Sequence, residues 1–262
     1  MFFDTHTHLG SRQFDADLPE VLARARSAGV TRMLAPATDL ENARKLLAIA
    51  EHEPEVRVAV GVHPCDLDSV SGAAWIAELR ELALHPKVAA IGEIGLDYFH
   101  APPDGFDLPA WKAHQAHCLR LQLDLAVDLG LNVVLHNRES WEDLVALVMP
   151  YCGRLRGVFH CYTGTLEEAL PMLEAGHLIS FTGIITFKKP GPAGEAARLV
   201  PEGRYMLETD APYLAPMPYR GKRCEPAYVA DTARAVAAMR GQSVEEVAHA
   251  TTATALGFFK GF

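Results

Sequence analysis

The chain has 262 residues, of which 49% are apolar and 22% are charged. This balance is typical of globular proteins and excludes disordered and collagen-like chains. Lysine and arginine total 24 against 33 aspartates and glutamates, giving a net charge of −9, which argues against a protein that coats nucleic acid non-specifically. A chain of this length can bury a sizeable core without disulfides, so we expect one domain spanning residues 1–262.

The opening segment, MFFDTHTHLGS, lacks the basic and apolar regions of a secretory signal. No uncharged apolar run reaches the roughly 18 residues that a transmembrane helix needs. The five cysteines are odd in number and form no C-x-x-C pair: Cys65, Cys118, Cys152, Cys161 and Cys224. This pattern is typical of reduced thiols. We therefore predict a cytoplasmic protein that needs neither a membrane nor an obligate protein partner.

Short β-rich runs alternate with longer helical patterns along the chain. Strands are predicted at Phe2–His8, Thr31–Pro36, Val56–Val62, Val88–Ile94, Asn132–His136, Gly157–His160, Leu178–Thr182 and Arg204–Thr209. Helices are predicted at Pro19–Ala28, Leu40–His52, Ala73–Leu84, Pro109–Leu129, Trp141–Met149, Leu166–Ala175, Ala193–Leu199 and near Pro226–Met239. The segment Leu119–Leu125 alternates as a strand would, but we assign it to a helix because its surroundings follow one helical face.

The predicted strand ends recur at an almost constant spacing. They lie at His8, Pro36, His63, Glu93, His136, His160, Gly183 and Asp210, so successive ends are 28, 27, 30, 43, 24, 23 and 27 residues apart. A β-α unit takes roughly 30 residues, so eight units in a row predict a (β/α)8 TIM barrel with one insertion at Ala101–Pro109. An open doubly wound sheet is the alternative, but the first strand lacks the glycine-rich phosphate loop of that fold.

Histidines and carboxylates occupy many of these strand ends. His6 and His8 are two residues apart on one strand, so their side chains project from the same face. In a barrel the carboxyl ends of all strands meet on one face, where active sites form. Six candidate ligands then converge, more than one tetrahedral ion can use: His6, His8, Glu93, His136, His160 and Asp210. We therefore predict two divalent ions, zinc, magnesium or manganese, which a carboxylate can bridge.

Seven stretches together resemble the TatD-like metal-dependent hydrolases, often called TatD DNases, within the amidohydrolase-type barrels. They occur in order between residues 3 and 226: DTHTHL, GVHP, IGEIGLDY, LHNRES, VFHCYTGT, ISFTGIITFK and LETDAPYLAP. The resemblance implies that the same six residues bind metal. It also implies a 3′-to-5′ exonuclease acting on single-stranded DNA or RNA. One departure is Cys224 in Arg223-Cys224-Glu225-Pro226, where the family usually has asparagine.

Roles follow from the chemistry of the residues. A water on a divalent ion becomes a hydroxide near neutral pH, so we expect Glu93 to bridge the ions and Asp210 to be a ligand and the general base. His63 precedes Pro64 at the third strand end and is predicted to contact the scissile phosphate or leaving group, or else to be a buried structural histidine. Glu208 can orient a ligand or satisfy a loop amide. Cys161 alternates away from His160 and should face the helices.

Substrate phosphates need cations, and basic residues follow several predicted strand ends. Arg138, Lys188 and Arg223 are predicted to bind substrate, since arginine suits two-pronged phosphate contacts. They would form a basic rim with Lys189, Arg220 and Lys222, unless the lysines are simply solvated. The aromatic residues of the same loops could stack on bases or only pack the loops: Tyr98, Phe99, Tyr162 and Tyr213.

Three interpretations of function remain. The first is a metal-dependent phosphodiesterase, namely a 3′-to-5′ exodeoxyribonuclease using a metal-bound hydroxide. In the second, the same hydroxide attacks a carbonyl, as in an aminoacyl ester or a lactone, since one barrel hosts many chemistries. The third is a non-catalytic metal-binding barrel, although a complete ligand set argues against it.

Overall fold

A computed structural model describes residues 1–262 and has eight parallel strands that pair in chain order. The strands are β1 Phe2–Asp4, β2 Val30–Pro36, β3 Val56–Val60, β4 Val88–Asp97, β5 Asn132–Arg138, β6 Gly157–Phe159, β7 Leu178–Phe181 and β8 Tyr205–Leu207. The last strand returns to the first, because the Thr5 N–H donates to the Leu207 carbonyl at 3.2 Å. The Asp210 N–H likewise donates to the His6 carbonyl at 2.9 Å. The predicted TIM barrel is therefore confirmed.

Nine α-helices surround the strands. They are α1 Leu18–Ser27, α2 Leu40–His52, α3 Ala74–Ala83, α4 Leu108–Leu129, α5 Trp141–Val148, α6 Leu166–Glu174, α7 Pro192–Leu199, α8 Val229–Arg240 and α9 Val244–Leu256. The eight predicted helices are confirmed, α2 with the predicted ends and the others with shifted ends, and Leu119–Leu125 lies inside α4. Helix α9 is absent from the prediction, although the Ser243 hydroxyl and the Glu246 carboxylate form a capping box at its start. None of these helices combines the length and apolar character that crossing a membrane requires.

Two apolar clusters hold the barrel together. The larger one lies between the strands and the surrounding helices. The smaller one takes residues from every strand and so fills the barrel interior: Phe3, Leu34, Ala59, Ala89, Ala90, Val134, Val158, Leu178 and Met206. Phe258 and Phe259, which follow α9, complete this cluster. The helix that the sequence pattern did not predict therefore delivers aromatic rings to the inside of the barrel.

Strand lengths differ from the prediction near the site. Strand β1 ends at Asp4 instead of His8, and Thr7 then forms an isolated bridge with Ala211. Strand β4 continues to Asp97 instead of ending at Ile94. A Cβ atom at Gly95 would lie 2.0 Å from the His136 carbonyl oxygen, so only glycine lets β4 approach β5 this closely. This close approach brings Glu93 and Asp97 beside His136.

Candidate metal centre

The two histidines after β1 point to one place. The backbone is held on both sides there, because the Thr7 N–H donates to the Leu34 carbonyl at 3.0 Å and the His8 N–H donates to the Ala211 carbonyl at 2.7 Å. The Nε2 atoms of His6 and His8 lie 3.2 Å apart. The expected shared face therefore exists, although the regular pairing of β1 with its neighbour has already ended at Asp4.

Glu93 lies at the centre of the site. The register between β4 and β5 shifts between Ile91 and Ile94, and the Glu93 N–H donates to the Ala37 carbonyl at 3.0 Å. This irregularity turns the carboxylate into the barrel mouth, where only 2% of the residue is exposed. Its two oxygens then face two different sets of nitrogen atoms.

The first set of donor atoms belongs to His6, His8, Asp210 and the Oε2 atom of Glu93. Glu93 Oε2 lies 3.2 Å from His6 Nε2 and 3.6 Å from His8 Nε2. Asp210 Oδ1 lies 3.6 Å and 3.3 Å from the same two nitrogens. Zinc–nitrogen bonds of about 2.0–2.1 Å place tetrahedral ligand atoms about 3.3–3.4 Å apart. These spacings therefore fit one ion without a large rearrangement.

The second set faces the Oε1 atom of Glu93. This oxygen lies 2.8 Å from His136 Nδ1 and 2.7 Å from His160 Nε2, and those two nitrogens are 3.2 Å apart. His63 Nε2 lies 3.5 Å from the same oxygen. The structure therefore brings His63 to the second set as well, so this residue has the position of a possible ligand.

Buried carboxylates contact the far sides of the two later histidines. Asp97 Oδ2 lies 3.1 Å from His136 Nε2, and Glu208 Oε1 lies 3.4 Å from His160 Nδ1. Glu208 also accepts hydrogen bonds from the Cys161 N–H at 2.8 Å and the Ser180 hydroxyl at 2.5 Å. It therefore contacts a candidate ligand and satisfies a backbone amide, the two roles that the sequence analysis gave as alternatives. Such contacts fix the orientation and tautomer of metal-binding imidazoles.

Sequence reasoning does not find the contact of Asp97 with His136. A signal is present, because Glu93 and Asp97 are four residues apart in one strand and alternate residues share a face. The predicted end of β4 at Ile94 instead leaves Asp97 in a loop. In the structure Asp97 is 1% exposed.

Opposite charges shift the pKa values of this cluster. Burial alone would raise the pKa of Glu93, but the imidazoles of His160, His6 and His63 hold it well below its ordinary value. Burial opposes the charged form of His160, yet Glu93 and Glu208 raise its pKa well above the ordinary value. Glu93 is therefore ionised and suited to a cation.

His63 differs from His8, His136 and His160, whose pKa values are raised. Burial lowers its pKa, and its Nδ1 atom accepts the Cys65 N–H at 3.1 Å. The neutral ring then carries its proton on Nε2, which faces Glu93. His63 is therefore a neutral hydrogen-bond donor at the barrel mouth.

Most of the donor residues line a cavity of about 950 Å³. Arg138 is the one lysine or arginine in its wall, and its guanidinium lies 4.0 Å from the centre of the Phe99 ring. Tyr213 also lines the cavity. Tyr98 and Tyr162 instead pack their loops, since their hydroxyls donate to Asp143 and to the Thr165 carbonyl.

Two of the predicted substrate contacts lie away from this cavity. Arg223 donates to the Asp17 carboxylate at 2.6 and 2.7 Å and to the Gln13 carbonyl at 2.7 Å. Lys188 is exposed on the loop after β7, and neither side chain lines the cavity wall. Cys224 is fully buried in an apolar cluster with Phe14, so the departure from the family pattern lies outside the cavity.

The prediction that Cys161 faces the helices is wrong. Its backbone has a φ of 48°, a left-handed conformation that interrupts the alternation of strand side chains. Cys161 therefore joins the cavity wall, with its sulfur 3.6 Å from the Thr182 hydroxyl.

A parallel barrel whose carboxyl ends carry converging imidazoles and carboxylates is typical of enzymes that use divalent metal ions. The family model described as TatD related DNase matches residues 3–260. The chain belongs to this family and is a metal-dependent hydrolase.

Relatives and solved structures agree with this assignment. An uncharacterized metal-dependent hydrolase of Bacillus subtilis, YabD, is 36% identical, with 99% of each chain covered. The 3′-5′ ssDNA/RNA exonuclease TatD of Musicola paradisiaca is 38% identical, covering 92% of this chain and 90% of its own. The crystal structure of a TatD homolog from Escherichia coli, YJJV, is 30% identical, with a TM-score of 0.88, and covers 98% of this chain and 97% of its own.

Proposed function

We propose that this protein is a phosphodiesterase that removes nucleotides from the 3′ end of single-stranded DNA or RNA, with DNA as the first substrate to test. The observation that carries the proposal is the division of Glu93, whose two oxygens face separate donor sets 2.7–3.6 Å away. A carboxylate in this position suits a two-ion centre, which can contact both the attacking and the leaving oxygen of a phosphodiester. The relative from Musicola paradisiaca carries a matching name.

The six predicted ligands would hold the ions, with Glu93 shared between them. Bound divalent ions supply Lewis acidity and lower the pKa of water to about 7. Asp210 has a side chain that is 13% exposed, so one carboxylate can contact both His8 and the cavity. Burial opposes ionisation of Asp210, but His8 and His6 hold its pKa below the ordinary value. An ionised Asp210 can orient the attacking water and accept its proton.

Other residues of the wall would position the substrate. His63 presents an Nε2 proton and can donate it in a hydrogen bond to the leaving oxygen. Arg138 can bind a phosphate beside the one that is cut. Arg138 stacks on Phe99, a residue that is 53% exposed. The exposed part of the Phe99 ring can therefore stack on a base of the substrate.

A second function is hydrolysis of a carbonyl ester or amide. The observation that favours it is the single cation of the cavity wall, Arg138, whereas a long phosphate backbone would be expected to meet several. The same Asp210 and His63 would serve this reaction, so the donor groups alone do not separate the two substrates.

The experiment compares substrates under one set of conditions. Protein loaded with zinc, manganese or magnesium is incubated with 3′-labelled and 5′-labelled single-stranded DNA, with RNA, and with an aminoacyl ester. The proposal expects mononucleotides released from the 3′ end, and the same preparation of Glu93→Gln is the matched control because it keeps the side-chain volume and removes the charge. Cleavage of the ester alone would overturn the phosphodiesterase proposal, and equal cleavage by Glu93→Gln would show a contaminating nuclease.

A further inference from the structure

A third group of metal-binding side chains lies at the rim of the cavity. It consists of Cys65, Asp97 and His100, whose sulfur, oxygen and nitrogen atoms all lie within 4.8 Å of one another. The Cys65 sulfur is 3.5 Å from His100 Nδ1, and that nitrogen is 2.9 Å from Asp97 Oδ2. None of these three residues belongs to the six predicted ligands.

The group is held in place by other parts of the chain. Asp97 Oδ1 accepts the N–H groups of Phe99 and His100 at 3.0 and 2.9 Å, which turns the Oδ2 atom toward His100. The Cys65 N–H donates to His63 Nδ1, so the loop that carries the thiol is tied to the barrel mouth. The donors therefore have fixed positions before any ion binds, which lowers the cost of ordering them.

The chemistry of the donors selects a type of ion. One sulfur, one imidazole and one carboxylate suit zinc and similar ions, whereas magnesium prefers oxygen ligands. Three protein ligands leave a fourth position open, as in zinc sites that bind a further molecule. Cys65 and His100 both line the cavity, so a further molecule would reach such an ion from the same space that the central donor sets face.

We propose that Cys65, Asp97 and His100 bind an additional divalent cation that prefers sulfur, such as zinc, at the rim of the cavity. Binding replaces the thiol proton of Cys65, which passes to solvent. The rim site also contacts the central one, because Asp97 Oδ2 lies 3.1 Å from His136 Nε2. Asp97 would thus be a ligand of the rim ion and the hydrogen-bond partner of the central ligand His136, while the two sites have no ligand in common.

The absorption spectrum of bound cobalt can distinguish the rim site, which has a thiolate ligand, from the central site. A cobalt–thiolate bond gives a near-ultraviolet charge-transfer band, which histidine and carboxylate ligands do not give. Metal-free protein titrated with cobalt should show the band, and Cys65→Ser should lose it. Cys161→Ser is the matched control, because Cys161 lines the same cavity but lies in none of the groups able to hold an ion. This control should keep the band, and excess magnesium should not remove it.

Zinc content gives a second readout. After equilibration with zinc and removal of free ion, Cys65→Ser and His100→Ala should each hold one zinc per chain fewer than the unchanged protein. The His100 side chain is 55% exposed, so its replacement should not disturb folding, and circular dichroism checks this. The proposal is overturned if the unchanged protein shows no thiolate band, if Cys65→Ser keeps it, or if zinc contents are equal. If the central site failed to bind zinc, the zinc content would instead be lower in the unchanged protein and in both variants alike. Neither readout depends on nuclease activity, so a failure of the proposed function leaves this test valid.

Discussion

The two ends of the barrel bury different kinds of side chain, apolar rings at the amino end and charged groups at the carboxyl end. At the amino end, Phe3 packs against Phe259 and Phe262, with ring centres 5.9 and 4.5 Å apart. At the carboxyl end, Glu93 is buried as an ion among imidazoles. Apolar burial stabilises the first end directly, whereas burial of charge is tolerated only where each charge has a partner. Stability and chemistry are thus separated along the barrel axis, and substitutions at the two ends should have different effects.

The largest effect on activity is expected from Asp210→Asn. The change keeps the volume and removes both the negative charge and the proposed proton acceptor, so turnover should fall by about 10²- to 10⁴-fold. Turnover on single-stranded DNA, metal content and thermal unfolding should be measured together. Near-normal turnover at matched metal content would place the base elsewhere.

Phe259→Ala should show the reverse pattern. Phe259 is 3% exposed, and truncating a buried phenylalanine lowers the free energy of unfolding by about 3–5 kcal/mol. Urea unfolding measures this change, while zinc content and turnover of the folded protein should stay normal. Phe262→Ala is the control, with a smaller loss because Phe262 is only partly buried. A loss of zinc in folded Phe259→Ala would show that the two ends are coupled.

His63→Ala tests whether this residue at the barrel mouth donates a hydrogen bond or binds metal. Loss of its Nε2 donor should lower turnover by about 10²-fold, and by less for a p-nitrophenyl ester, whose leaving group needs little assistance. Zinc content should not change. If the variant loses zinc, the position of His63 3.5 Å from Glu93 reflects a ligand instead.

Asp97→Asn should weaken metal binding with a smaller effect on folding. The amide cannot hold the His136 Nε2–H as a carboxylate does, and loss of such a partner lowers metal affinity by about 10- to 100-fold. Zinc competition with a chelator measures this. The change is best made in Cys65→Ser, so that the proposed rim ion does not contribute. Equal zinc affinity of Cys65→Ser with and without Asp97→Asn would mean that Asp97 does not support metal binding by His136.

The smallest effect is expected from Arg138→Ala. If Arg138 contacts one phosphate of a single strand, as proposed, its removal should lower the slope of log affinity against log salt by about 0.7. Binding to a metal-loaded, inactive variant measures this slope. Lys188→Ala is the comparison, because Lys188 lies off the cavity wall. An equal change of slope in Arg138→Ala and Lys188→Ala would show that the substrate also contacts the loop after β7.

The sequence predicts the barrel because strand ends recur at regular spacing and because a barrel brings such ends together. His6, His8, His136 and His160 can be placed for this reason, as can Glu93 and Asp210. Contacts that depend on exact backbone paths cannot. The reversed direction of Cys161 follows from one left-handed residue, and the ion pairs of Arg223 depend on where α1 lies.

Helix α9 escapes prediction for a different reason. Its Ala- and Thr-rich sequence has a weak apolar stripe, so periodicity gives little signal, and only its capping box indicates a start. The role of Phe258 and Phe259 cannot be inferred without knowing that the amino end of the barrel needs filling.

The packing of Phe3 against Phe259 has a consequence for synthesis of the chain. The two rings come from residues 256 positions apart, so the interior of the barrel stays incomplete until residue 259 has left the ribosome. Contacts of such long range also slow folding. Nascent chains stopped before α9 should therefore be protease-sensitive and prone to bind chaperones, however complete their eight strands are.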